Sequence, residues 1–173
     1  ESLTNDTAVM LLANAVATGA ALYFLIVSIS DISGAHFNPF VTLAMYLSKR
    51  IKSQLLPVYF TAQILGCLTG VMLANFFFDY SLIELSSKSR SGINVFVSEI
   101  IATFGLIFII FRTIKGGKVL VATSVATFIT AGYWFTSSTS FANPAVAIAR
   151  TFTNTFTGIN YLNTPFFIIA ELI

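Results

Sequence analysis

The chain has 173 residues, of which 56% are hydrophobic and only 9% charged, with a mean hydropathy of +0.86 and a net charge of +2. Soluble domains carry about a quarter charged residues to keep their surfaces wet. Seven acids and nine Lys/Arg exclude a water-soluble fold and a disordered chain, and so small and scattered a basic excess excludes a nucleic-acid partner.

A helix that crosses a bilayer takes about 20 mostly apolar residues. Uncharged runs of that order cover 7–30, 53–78, 91–111 (broken only by Glu99), 119–149 and 151–170. Asn38-Pro39 follows the polar turn Asp31-Ile32-Ser33-Gly34, and Asn143-Pro144 follows Ser137-Ser138-Thr139-Ser140 deep in the fourth run. These breaks predict full spans near 8–30, 54–78, 95–114 and 119–136, with another opening at Pro165. Two short apolar segments remain, 39–47 and 144–152. Each makes about 13 Å of helix, half a membrane.

Lys49, Arg50 and Lys52 lie between the first and second spans; Arg112, Lys115 and Lys118 lie between the third and fourth. If the half-length segments dip in and return, both loops share one face. That face holds six of the nine basic residues, which makes it cytoplasmic. The acidic start (Glu1, Asp6) and the 79–94 loop then lie outside.

The sequence also repeats itself. Residues 33–44 lie over 138–149 at a separation of 105, with Ser, Asn, Pro, Val and Ala coinciding. Pro57…Ala62-Gln63 echoes Pro165…Ala170-Glu171. An odd number of spans separates the copies, so they enter from opposite faces. Such inverted repeats place a functional site near the midplane, where interrupted helices meet.

Asn is a favoured helix N-cap, and Pro suits the first helical position. Each Asn-Pro therefore reads first as a helix start. Two of them, in membrane runs of opposite entry, read as more. Non-helical backbone at membrane depth is tolerated only inside protein or along a water-filled cavity. Residues 31–37 and 137–142 fit that description, and their carbonyls would form a ladder of acceptors. Both half-helices would point positive ends at the centre, where the amides of Asn38 and Asn143 offer donors. Neutral hydroxylic molecules pass such a midplane, whereas cations and protons meet a barrier.

Ser33-Gly34-Ala35-His36-Phe37-Asn38-Pro39 and Phe141-Ala142-Asn143-Pro144-Ala145 resemble the paired Asn-Pro-Ala signatures of the aquaporin (major intrinsic protein) channels. Residues 98–105, with Glu99, resemble that family's fourth helix, and 57–66, with Gln63, its third. The resemblance spans essentially the whole chain. It implies an all-α membrane fold with two re-entrant half-helices, usually assembled as a homotetramer with one pore per subunit. It also implies a single channel domain over 1–173, with repeat one at 1–90 and repeat two at 91–173. The family's first helix has no counterpart and its sixth stops near Ile173, so truncation at both ends is expected.

Site residues follow from the same resemblance. Asn38 and Asn143 would meet at the pore midplane. The outer selectivity filter would be Thr18, Ala131, Ser140 and Val146, wide and uncharged, because Val146 stands where most members have arginine. The first motif carries Phe40 where alanine is usual, so that ring either points outward or separates the half-helices. His36 is a structural histidine or a pore-facing group at the cytoplasmic mouth. Arg150, one turn beyond Val146, is an exposed anchor at the outer mouth or a filter group. Glu99 and Glu171 are expensive at membrane depth and mark either a proton relay or a buttress for the re-entrant loops. Gln63, the neutral counterpart of Glu171, would brace equally well without charge. Gly19, Gly66, Gly70, Gly105 and Gly132 read as points of close helix approach.

One cysteine, Cys67, permits no internal disulfide. No metal-ligand spacing, nucleophile–base pair or phosphate loop appears, so neither enzymatic chemistry, a metal nor a cofactor is expected. The implied partners are the lipid bilayer, water and small neutral solutes, including glycerol-sized polyols or neutral metalloid hydroxides. The leading reading is a passive channel in the cell membrane. An ion-coupled secondary transporter and a non-conducting channel fragment are the alternatives.

Overall fold

The computed structural model describes residues 4–173. Glu1 lies outside the described residues, whereas Asp6 caps the first helix by accepting from the N–H groups of Ala8 and Val9. Seven helices follow in order: α1 (Thr7–Ser33), α2 (Pro39–Leu47), α3 (Leu56–Phe77), α4 (Ile93–Thr113), α5 (Lys118–Phe135), α6 (Pro144–Ala149) and α7 (Thr164–Leu172). No strand occurs among the described residues. The fold is all-α.

Two boundaries differ from the expected ones. The α1 helix runs through Asp31-Ile32-Ser33 instead of ending at 30, and stops only at Gly34, whose φ of 74° forms a left-handed cap with its N–H on Ser30 O at 2.9 Å. Asp31 lies within the helix, its exposed carboxylate paired with Lys118, the first residue of α5. The α6 helix is shorter than expected, since Arg150–Phe152 tightens into a 3₁₀ turn. The α2 span is the expected one.

Helices α1 and α5 pack against each other at close range. A Cβ on Gly19 would lie 2.1 Å from Thr130 Oγ1, so the crossing admits only hydrogen there. The α4 helix packs on α5 and α7, and α3 lies against α2 and α6. Gly66 and Gly70 do not mediate close approach within the chain. A Cβ on either would meet nothing within 4 Å, because both face outward from α3.

Four helical stretches are long and apolar enough to cross a membrane: Thr7–Ser33, Ser53–Phe77, Ile93–Gly116 and Lys118–Phe135. Their outer faces present Leu12, Val16, Phe24, Leu65, Leu73 and Phe104 without cover from the rest of the chain. Apolar side chains on that face suit lipid tails, while polar backbone is kept inside.

Candidate functional site

The repeat is visible in the backbone of the two loops that precede α2 and α6. Gly34, Ala35 and Phe37 have φ of 74°, 49° and 51°; Thr139, Ser140 and Ala142, each 105 positions later, have 63°, 52° and 46°. Left-handed backbone is costly for residues with a Cβ, of the order of 1–2 kcal/mol each. Only a structure that over-determines the loop keeps it. Extended backbone then follows at Asn38 (φ −151°) and Asn143 (φ −160°), which cap the two half-helices.

The caps leave each amide nitrogen free to reach across. Asn38 Nδ2 donates to Ala142 O at 2.5 Å, and Asn143 Nδ2 donates to Phe37 O at 2.9 Å. Their Oδ1 atoms meanwhile accept from Phe40 N and Ala145 N at 2.9 and 3.1 Å. Both half-helices therefore begin at one junction. One N–H of each amide closes that junction, and a second N–H remains on each.

Carboxylates hold the second loop from behind. Glu99, with 0% exposure, accepts from Phe141 N at 2.9 Å and Ala142 N at 2.7 Å. Glu171 accepts from Asn143 N at 2.9 Å. Three successive amides that would otherwise be unsatisfied inside a membrane fold are thus paired. Gln63 works differently from Glu171. Its Nε2 donates to Thr42 Oγ1 of α2 at 2.9 Å, so it braces the half-helix and not the loop itself.

Thr42 also fixes the tautomer of His36. A hydroxyl has one proton, and that of Thr42 goes to Asn38 O at 3.0 Å. His36 Nδ1, 3.1 Å from Thr42 Oγ1, must then be the donor. On the neutral ring, Nε2 is left as an acceptor. The ring packs against Tyr59 at 5.1 Å between centroids and lines the cavity.

That cavity, about 580 Å³, extends from Arg50, Gly34 and Lys118 at one end, past Asn38 and Asn143, to Thr18, Val146 and Arg150 at the other. Leu22, Ile26, Val125 and Ile129 make much of its wall apolar. Its Arg50–Lys118 end is the end of the two basic loops.

At the opposite end the structure redraws the expected filter. Thr18 and Val146 line the cavity, but Ala131 does not. Ala131 is exposed on the outer face of α5, in line with Thr123 and Thr127, while Val121, Val125, Ile129 and Tyr133 form the inner stripe. Helical periodicity puts positions two apart on opposite sides, so Tyr133 takes the wall. Ser140 reaches the cavity, yet its hydroxyl is buried against Gly132, where an added Cβ would lie 2.6 Å from Oγ.

The end is not uncharged either. Arg150 lines the cavity, with Nη2 donating to Tyr133 Oη at 3.3 Å and the guanidinium 4.2 Å from the Phe141 ring centre. The Tyr133 hydroxyl also pairs with Thr18 Oγ1 at 3.2 Å. Arg90 stands 5.4 Å from the same Phe141 ring and ties two outer loops, donating to Gly158 O and Phe156 O at 3.0 Å. Burial, and then the charge of Arg150, push the pKa of Arg90 down to about 10, so it remains a cation at neutral pH. Tyr133 carries no motif. Its only sequence signal was the four-residue spacing from Val125 and Ile129.

A family description, Major intrinsic protein, matches residues 1–173. The chain belongs to the major intrinsic protein family. It is 46% identical over 173 residues to Aquaglyceroporin AqpS of Rhizobium meliloti (strain 1021), a match covering 100% of this chain and 74% of that protein. It is 36% identical over 105 residues to Aquaporin NIP3-1 of Arabidopsis thaliana, covering 56% of this chain and 32% of that one. Nodulin-26 of Glycine max is 33% identical over 98 residues, covering 56% and 36%. Like other major intrinsic proteins, the chain is a multi-pass integral membrane protein of a transport class, and the family's members are channels rather than enzymes.

Proposed function

We propose that the protein is a passive channel of the cell membrane for water and small uncharged solutes, with glycerol-sized polyols and neutral metalloid hydroxides as the larger ones. The reciprocal reach of Asn38 and Asn143 inside one cavity carries this reading. It leaves one donor per amide, at a point where two helix N-termini meet and cations are disfavoured. Apolar walls on one side and left-handed loop carbonyls on the other suit a solute with a carbon skeleton and hydroxyls.

Both oxygens of Glu99 and one of Glu171 are engaged by loop amides, which supports the buttress role over a proton relay. No catalytic role is assigned to any residue. The whole chain acts as one channel domain in this reading, because each half (1–90 and 91–173) supplies one of the two half-helices. The bare outer faces of α1 and α3 support assembly into a homotetramer in the bilayer.

Proteoliposomes carrying the full-length protein test the reading. Glycerol flux that follows only the glycerol gradient, at every pH, is the expected result. Accumulation driven by a proton or sodium gradient would overturn it.

A further inference from the structure

We propose that Glu171 is held as a neutral carboxylic acid, with its proton on Oε2 and shared with the Glu99 carboxylate, so that one buried charge and not two seats the second half-helix. The proposal rests on the buttress role assigned above and adds a resident proton to it. Through that proton Glu171 is a positioning residue, acting on the midplane by way of Asn143.

The hydrogen-bond inventory decides which carboxyl group carries it. Both Glu99 oxygens accept from loop amides, Oε1 from Phe141 N and Oε2 from Ala142 N. The hydroxyl of Ser138, itself fully buried, offers a further donor to the same carboxylate. Every one of these contacts calls for an acceptor, so a proton on Glu99 would weaken them. Glu171 is different. It spends Oε1 on Asn143 N, while its Oε2 is buried without a donor, and the carboxyl group within its hydrogen-bonding reach is that of Glu99. Two ionised carboxylates in contact inside protein repel with little screening. One proton on Glu171 Oε2 turns that repulsion into a charge-assisted hydrogen bond and gives the orphaned oxygen its partner.

Two further observations agree. Arg90, the cation over the Phe141 ring, lies within electrostatic range of Glu99 and so favours the negative charge on that partner. In repeat one, the position of Glu171 is held by Gln63, whose Nε2 donates to Thr42 Oγ1. An amide has one end that donates and one that accepts, and a protonated carboxyl group has the same pattern. The two repeats thus use one hydrogen-bonding pattern at one register, the donor being a nitrogen in the first and a protonated oxygen in the second. Neither Glu99 nor Glu171 reaches the wall of the main cavity. The proton therefore belongs to the contact between α4 and α7 and lies off the path of solutes.

Infrared spectra of the full-length protein in lipid, read beside melting temperatures, decide the matter. At neutral pH the native protein is expected to show the C=O stretch of an un-ionised carboxyl group, and Glu171→Gln to lose it. Because the amide mimics the protonated acid, Glu171→Gln is expected to keep the native melting temperature, whereas Glu171→Leu melts lower. Glu99→Gln is expected to melt below Glu171→Gln, since it turns an NH₂ toward loop N–H groups that need an acceptor. The absence of the band from the native protein, or its persistence in Glu171→Gln, overturns the proposal. So does a Glu171→Gln that fails to fold or melts below Glu99→Gln. Glu171→Leu melting like the native protein would sink the buttress role and the proposal with it. None of these readouts needs flux: a native protein that passes no solute sinks the channel reading and leaves the band in place.

Discussion

Asn38 and Asn143 do not bond to each other; each bonds to the carbonyl just before the other, at Ala142 and Phe37. The junction is thus a closed loop of two contacts, in which losing either asparagine loosens the seat of both half-helices. Buried hydrogen bonds of this kind are worth about 0.5–1.5 kcal/mol each, and an orphaned buried carbonyl adds to the loss. We expect Asn38→Ala and Asn143→Ala each to lower stability by about 1–2 kcal/mol. The double variant should lose less than the sum, because both residues serve one network. Thermal unfolding of the four proteins in detergent gives the coupling directly, and strict additivity would contradict the closed-loop geometry.

Glu99 and Glu171 should be unequal. Glu99 satisfies two loop amides and Glu171 one. Each buried N–H left without an acceptor costs about 1–3 kcal/mol. Glu99→Ala should therefore destabilise more than Glu171→Ala, by roughly the cost of one extra orphaned amide. Glu99→Gln, with one acceptor oxygen, should fall between native and Glu99→Ala. Equal melting temperatures for the two alanine variants would show that the loop does not depend on these contacts.

The spans were legible in the sequence because a bilayer demands about 20 apolar residues and punishes buried polar backbone. The start of α2 was legible for a local reason, Asn followed by Pro. The end of α1 was not. Asp31-Ile32-Ser33-Gly34 reads as one polar turn, whereas only Gly34, at its left-handed φ, leaves the helix. Of the four positions expected at the outer filter, Ala131 lies off the cavity wall. Counting twelve residues back from Asn143 reaches Ala131, but helix phase decides which residue faces inward, and the α5 stripe puts Tyr133 there. Likewise the sequence left Arg150 between an exposed anchor and a filter group, because it does not show where a long side chain folds back.

Phe40 is half-exposed and absent from the cavity wall, and the Asn38–Ala142 contact forms despite it. Of the two outcomes expected for a phenyl ring at this position, the structure has the one in which the ring turns away. Phe40→Ala should then leave water and glycerol flux within about twofold of native, since the path is unchanged. Osmotic swelling rates at matched protein density check this. A large change would mean that the ring controls the junction from outside the wall.

Val146→Arg should close the outer end to polyols. Val146 lines the cavity and also packs against the buried cluster of Phe141, Ala147, Ile159 and Phe167. An arginine there lies four residues before Arg150 on the same helical face, and like charges at that spacing repel. Two guanidiniums cannot share the space beside Tyr133, so Arg150 is pushed toward the outer loops, where Arg90 already stands. The inserted side chain is bulkier than valine and narrows the passage while keeping donors along it. We expect glycerol flux to fall about tenfold, a barrier increase of ~1.4 kcal/mol, with water passage reduced far less. Stopped-flow light scattering with water and glycerol in parallel measures both, and the melting temperature reports the strain on the Phe141 cluster. Glycerol flux equal to that of the native protein, in a variant that melts normally, would show that the passage is not narrowest beside Val146.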